Sequence, residues 1–433
     1  MTPNGAYRPI LRPRRGEFAA LAHLSADEAA RVTPIIELDA TGSIVPLVRE
    51  LRPRTGVLAI DFGNVPDPPP GTTPPGTGRP FPPLDTGRRW SSSRLDRSTS
   101  RSGADRPSSP PGADRPSSPP GADGTSSPPG VDGTSPAPGG DRTVSPPGAR
   151  RAVSPTGAGR QTPATERLAD QPLALAERLA ELGIAMVPVL RPYESNRRLV
   201  AHGLAARMHR RRALLRLQPH LDADNPAQAD AAADRVLAAT ALGPDEIDLL
   251  IDLAETACVT HAEEVEERAR RVLRWAHGMP WRSVSVASGA MPPNLDDLPT
   301  DRPVTVGRLD ARLWARLGEP GVGYADYGVT SPVRRIGVHY HRQLPTLRYT
   351  TEQDWWIYRW ARRGGRSDDR CHDLCRTLVT SAQWPSAGAR FSWGDAEIAR
   401  RARTARGAGS SASWIAWSTS HHISHVLRTI PAG

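Results

Sequence analysis

Six charged side chains recur at one place in six separate strand-like segments: Glu37 in IIEL, Asp61 in LAIDF, Arg191 in VPVLR, Arg216 in LLRLQ, Asp252 in LIDLA and Asp326 in YADYG. Read with a period of two, each segment carries its charge near the C-terminal end and on one face. In VLAIDF, Val57, Ala59 and Asp61 share a face opposite Leu58, Ile60 and Phe62. Ions are costly in a dry interior, so these six must reach a wet rim, pair with one another or bind something. Two outcomes are open. A closed arginine and carboxylate network would tie strand ends together without chemistry. An open pocket would let Arg191 and Arg216 hold an anionic group bidentately, while Glu37, Asp61, Asp252 and Asp326 act as acid/base catalysts or as ligands for a hard divalent cation. No spacing among them is diagnostic of a metal. Ser288 in VASGA ends another strand, with no fixed histidine partner in view.

A second group lies near the C-terminus, where STSHHISHV packs His421, His422 and His425 into five positions. It follows FSWGDAEI and SASWIAW, and reads as a strand running into a terminal helix. His421 and Ile423 then share one face and His422 takes the other. Trp393, Asp395 and His422 become candidates for a cap over the pocket, His422 beside Asp395, with His425 on the helix surface. Cys371, His372 and Cys375 look like half a zinc site, but CHDLCRTLV reads as a helix and no second cysteine pair completes four ligands; buried thiols are the alternative. His339 and His341 in VHYHR read as surface histidines. RRARTARGAG suits either phosphate contact or a solvated helix end capped by glycine.

The elements that would position these residues alternate along the chain. Strands are expected over residues 7–12, 33–39, 56–62, 184–191, 211–218, 248–254, 283–290 and 323–329. Between them lie stretches such as PLALAERLAELG and HAEEVEERARRVLRWAHG, with apolar residues at helical spacing. Eight such units in series, with no glycine fingerprint after any strand, point to an α/β fold of the (β/α)8 TIM-barrel type. Residues 1–65 would form the first three units, 166–330 the remaining five, and 331–433 a small C-terminal cap holding seven of the eleven tryptophans.

The interruption after the third strand is compositional. Residues 66–165 hold 12 Arg and 8 Asp, and inside them ADRPSSPPG and its variants repeat with a nine-residue period marked by Asp105, Asp114, Asp123, Asp132 and Asp141. These repeats have almost nothing apolar to bury, so the segment is expected to be disordered with some polyproline character. An arginine-rich arm of this kind is suited to weak contact with nucleic-acid phosphates. The net charge of +10 is spread over many segments, and every basic residue is arginine. Cys258, Cys371 and Cys375, an odd count without disulfide spacing, favour a reducing compartment, with the cytoplasm as the expected location. No apolar run of membrane-spanning length occurs, so no membrane partner is expected.

Taken in order, YRPILRPRRGE, TPIIEL, LAIDF, DLLIDL, SVSVASGAMPPNL, GYADYGV, LRYTTEQDWWIYR, FSWGDAEI and SWIAWSTSHHISHV resemble the phage beta-protein family, found in phages, prophages and bacterial mobile elements. The resemblance spans the chain apart from the proline-rich tract, which is no part of the family's pattern. Arg12 and Arg14 stand where members commonly carry lysine. What it implies is a role in phage–host conflict or toxin immunity, with a companion toxic protein as partner, and a shared motif set of Glu37, Asp61, Asp252, Asp326, Trp393, Asp395, His421 and His422. It transfers no catalytic role. The charges at the barrel mouth keep a different reading open, a hydrolase acting on a phosphate ester or nucleic acid.

Overall fold

The structure, a computed structural model, describes residues 7–39, 44–51, 55–65, 172–223, 225–256, 259–334, 344–361, 367–404 and 407–431. The arginine-rich arm of 66–165, Cys258, His339, His341 and part of RRARTARGAG lie outside them. All the described residues belong to one compact unit.

Eleven strands are described: β1 (Arg8–Leu11), β2 (Ile35–Glu37), β3 (Val57–Asp61), β4 (Ala185–Leu190), β5 (Ala213–Leu217), β6 (Ile247–Glu255), β7 (Ser283–Gly289), β8 (Arg302–Gly307), β9 (Val322–Asp326), β10 (Thr346–Thr350) and β11 (Asp354–Arg359). Eight of them close a parallel barrel in the order β1-β2-β3-β4-β5-β6-β7-β9. The eight are the eight expected from the sequence, and the fold is the (β/α)8 type. Closure is made by β1, which pairs with β2 through Ile10 and Ile35 and with β9 through Arg8 and Ala325. These strands are rich in Val, Ile and Leu because both of their faces are covered.

The barrel interior is layered. A middle layer of Ile10, Ile35, Ala59, Val187, Val189, Leu214, Leu250, Ala287, Ala325 and Tyr327 packs as one apolar cluster. Below it, Arg8 donates to Ser283 and Ser285 and pairs with Asp248 at 3.3 Å, filling the N-terminal end with paired polar groups, although the Arg8 Nε is buried without a partner among the described residues. Above it stand the strand-end charges. This is how a barrel of eight strands is filled, by side chains rather than by a pore.

The helices are α1 (Arg15–Ala22), α2 (Ala26–Arg31), α3 (Val45–Leu51), α4 (Pro172–Glu181), α5 (Asn196–Met208), α6 (Pro219–Asp222), α7 (Pro226–Thr240), α8 (Val259–Ala276), α9 (Leu309–Leu317), α10 (Ser367–Val379), α11 (Trp393–Arg403) and α12 (Ser411–Thr429). Arg198 of α5 donates to the carbonyls of Phe62 (3.3 Å) and Val65 (2.6 Å), pinning the chain as it leaves β3.

STSHHISHV is helical throughout, which corrects the expected strand. It lies in the middle of α12, whose N-cap is Ser410. The Trp, Ile, Thr and His content that suggests a strand reflects burial instead: α12 is enclosed by neighbours, with Ile423, Val426 and Leu427 in the cluster of Tyr7, Leu11, Phe18 and Tyr324. Its buried surface also carries polar groups, Ser418, Thr419, Ser420, His421, His422 and Ser424, so the helix is enclosed on several sides without being apolar all round. It occupies the place of the helix that follows the eighth barrel strand, and β10, β11, α10 and α11 are inserted ahead of it. In the same way β8, which the strand pattern does not reveal, is inserted between β7 and α9. It joins β10 and β11 in an antiparallel sheet of order β10-β11-β8.

The SWGD motif is explained at this junction. Ser392 caps α11 by accepting from the Asp395 amide at 3.1 Å. Gly394 lets α11 meet α12, since a Cβ there would stand 2.1 Å from the carbonyl oxygen of Trp417. Gly394→Ala is therefore expected to push the two helices apart and lower stability by about 1–3 kcal/mol or more, read as a lower urea midpoint with an unchanged m-value.

Candidate functional site at the barrel mouth

Five of the six sequence-selected charges meet at the C-terminal end of the barrel. Glu37, Asp61, Arg191, Arg216 and Asp252 end β2 to β6 with the inward parity of Ile35, Ala59, Val189, Leu214 and Leu250 beneath them. Arg216 is the hub. Its Nε and Nη2 donate to Oδ2 of Asp252 at 3.0 and 2.7 Å, and its Nη1 donates to Oε1 of Glu37 at 2.9 Å and Oδ2 of Asp61 at 2.6 Å. Arg191 forks onto Asp61, with Nε to Oδ1 at 3.0 Å and Nη2 to Oδ2 at 2.7 Å. The fork needs Gly63: a Cβ there would lie 2.5 Å from Arg191 Nε, and the Gly63 amide itself donates to Asp61.

Three groups that the sequence reading missed complete the net. Gln218 bridges the two halves, accepting from Arg191 at 2.9 Å and donating to Asp252 at 3.0 Å. Tyr327 accepts from Arg216 and donates to Asp252, both at 2.8 Å. Arg334 donates to Oε2 of Glu37 at 3.1 Å. Parity was the available signal for two of them, because Gln218 follows Arg216 and Tyr327 follows Ala325 on the inward face. Arg334 sits in a loop, where no periodicity applies.

Three guanidiniums therefore face three carboxylates. Burial alone would raise the Asp61 carboxyl, but the charges of Arg191 and Arg216 outweigh it and hold the group well below the usual carboxylate range. Burial and Arg216 act on Asp252 in the same opposed way, with the same net direction. Burial and the Asp252 charge push the Tyr327 hydroxyl far above its ordinary range.

The net does not seal the mouth. A cavity of about 320 Å³ lies over it, with Glu37, Arg191, Arg216, Gln218 and Tyr327 as its floor and Asn64, Tyr193, Glu255, Val333 and Arg334 among its walls. That is the lower end of the size range of small-molecule sites. Among the described residues no group of three His, Cys, Asp or Glu is arranged to hold a metal ion. A cation approaching Asp61 or Asp252 would have to displace an arginine.

Asp326 is not part of this site, and its expected inward position is corrected. It lies on the face of β9 shared with Tyr324, directed at the helical layer, where its Oδ1 accepts from Tyr7 at 2.6 Å and its Oδ2 from Nε2 of His422 at 2.8 Å. His422 meets Thr350 Oγ1 through Nδ1 at 2.9 Å. The neighbouring His421 meets the Thr350 carbonyl and Asp395, each at 2.9 Å, and Tyr349 donates to Asp395 at 2.7 Å. His422 is thus partnered by Asp326, and it is His421 that sits beside Asp395. The expected cap of Trp393, Asp395 and His422 lines no part of the mouth cavity. Trp393 stacks on His23 at a centroid distance of 3.9 Å. His425 is half-buried rather than on the surface. Ser288 is buried in β7, in register with Asp326. Cys371 and Cys375 are buried thiols of helix α10, not joined in a disulfide.

No curated protein and no solved structure matches the chain. A family model described as Beta protein matches residues 7–61 and 151–428. The match takes in every barrel strand, the net at the mouth and the histidines of α12, and leaves out most of the nine-residue repeats: the chain belongs to the Beta protein family.

Proposed function

We propose that this beta protein is a binding barrel, which takes a small polar ligand at its mouth and acts in phage–host conflict or toxin immunity with a companion toxic protein as partner. The observation that carries the reading is the cavity of about 320 Å³ set on a floor whose charges are already paired. Such a floor is preorganised: its donors and acceptors are held in place before a ligand arrives, which favours recognition. Asp61 and Asp252 are engaged by arginines and are poorly placed to take a proton from a substrate. The biological setting is proposed by analogy with the family, the cytoplasm as the location from the cysteine usage, and the arginine-rich arm as a secondary contact for nucleic acid.

The test is a thermal-shift screen of polar metabolites on the purified full chain. A true ligand at one hundred times its Kd adds about 3 kcal/mol of stability. Tyr193→Ala and Asn64→Ala, both at the cavity wall, are expected to abolish that shift while leaving the unliganded midpoint within about a degree, since exposed substitutions lie within about 0.5 kcal/mol. A ligand whose shift survives both changes, or a screen without any stabilising ligand, removes the reading. In the cell, an unchanged need for this protein after deletion of a neighbouring toxic gene would remove the immunity role.

A second reading is hydrolysis of a phosphate ester or nucleic acid, with Asp61, Asp252 and Glu37 as acid/base groups or ligands of a divalent cation and Arg191 and Arg216 as anion holders. Glu37, a carboxylate lining the cavity, favours it. It requires a divalent cation or phosphate to stabilise the protein and Asp252→Asn to abolish cellular function.

A further inference from the structure

A second set of charges gathers around the turn from β1 into α1. Arg12 and Arg14 belong to the turn, Glu17 to the first turn of α1, and Arg348 to β10. Glu17 is fully buried. Its Oε2 accepts from the Arg12 amide at 3.1 Å, whereas Oε1 has no hydrogen-bond partner among the described residues. Arg348 donates from Nη1 to the Val329 carbonyl at 3.1 Å, and its buried Nε has no acceptor among the described residues. Arg12 donates from Nη2 to the carbonyls of Ser331 (2.7 Å) and Val333 (3.2 Å). The guanidiniums of Arg12 and Arg348 thus rest on neutral oxygens. Arg14 brings a third positive charge, and Glu17 supplies the carboxyl of the set.

The electrostatics register this imbalance. Burial, followed by the charge of Arg14, pushes Arg12 down and pushes Arg348 down to about 10. Burial raises Glu17 to about 7 even against Arg14 and Arg12, so near neutral pH its carboxyl is often uncharged. The mouth cavity has no such excess, since its arginines face an equal number of carboxylates.

We propose that Arg12, Arg14, Arg348 and Glu17 form a binding site for a phosphate group, separate from the mouth cavity. A phosphate offers acceptors to the unpartnered Nε of Arg348 and to the forks of Arg12 and Arg14, and its two negative charges offset the excess of the cluster. Protonated Glu17 donates from Oε1 to a phosphate oxygen. Arg14 is exposed at the solvent end of the cluster, and Oε1 of Glu17 and Nε of Arg348 are buried behind it. The segment from Ser331 to Arg334 serves both sites, its carbonyls holding Arg12 while Pro332, Val333 and Arg334 line the cavity. The two sites use different side chains, so either can fail without the other.

The test is a titration of the full chain with inorganic phosphate against sodium chloride of equal ionic strength, followed by thermal unfolding and calorimetry. Phosphate is expected to raise the midpoint where chloride does not. Arg14→Gln, at an exposed position, is expected to weaken phosphate binding about tenfold, the loss of one charged hydrogen-bonding group. Glu17→Gln, which keeps a donor and removes the negative charge, is expected to tighten it. Absence of a phosphate effect beyond that of chloride, or wild-type affinity in both Arg14→Gln and Arg12→Gln, overturns the proposal. Since Arg14→Gln and Glu17→Gln move affinity in opposite directions, a general loss of folding cannot imitate the expected pattern.

Discussion

Arg216→Met is expected to lower folding stability by about 3–5 kcal/mol, the range for removing one partner of a buried ion pair. Arg216 is 1% exposed and contacts Asp252, Glu37 and Asp61 at once. Without it Asp252 keeps Tyr327 and Gln218, Glu37 keeps Arg334, and Asp61 keeps Arg191, but one negative charge stays uncompensated out of water. Urea denaturation measures the loss. A change below about 1 kcal/mol would mean that water or a rearranged arginine can replace Arg216.

The pH dependence is a second readout. Asp61 and Asp252 are both held below the unfolded value of about 3.9. As pH falls, the unfolded chain takes up their protons first. Their contribution is complete above about pH 5 and is lost progressively below it, toward each folded value. In Arg216→Met the part of this acid slope due to Asp252 is expected to flatten.

His422→Phe is expected to have the next largest effect, about 3 kcal/mol, because it strands the Asp326 carboxylate with Tyr7 and one backbone amide as donors. Burial would raise Asp326, but His422 and Tyr7 hold it down at about 2. Set against about 3.9 in the unfolded chain, that difference is worth about 2–3 kcal/mol, present above about pH 5 and lost as pH falls toward 2. A local signature separates this variant from Arg216→Met: hydrogen exchange is expected to accelerate in α12 first, while β5 and β6 keep their protection. Uniform loss of protection across the barrel would contradict the pairing of α12 with β9 as the point of weakness. His425 adds a milder window. Burial, then Arg308, pushes it down to about 3, so its contribution is whole above about 6.5 and declines as pH drops below that.

The barrel was legible because its strands are nearly continuous apolar runs broken at fixed intervals by amphipathic helices, a pattern that local chemistry dictates. Parity along each strand placed Glu37, Asp61, Arg191, Arg216 and Asp252 correctly, since in each the inward neighbour two residues earlier is apolar. Asp326 broke the rule. Its partner His422 lies 96 residues away, and nothing in YADYG tells of an ion pair waiting in the helical layer. The same distance hid the helical state of STSHHISHV: intrinsic preferences in that stretch are weak, and its conformation is decided by α1, β10 and α11 packing around it. The cavity could not be read either. Whether paired charges leave space above them depends on loop residues such as Tyr193 and Arg334, which carry no period.

The closure of the barrel by β1 against β9 also sets an order of events during synthesis. Tyr7 and its acceptor Asp326 are 319 residues apart. At 5–20 residues per second the first strand emerges from the ribosome roughly 15–65 s before the strand that completes its pairing. For that interval β1 has one exposed edge and no α12 over it. Nascent chains stalled before Val322 are therefore expected to engage chaperones or be degraded, and those extended past Thr429 to escape both.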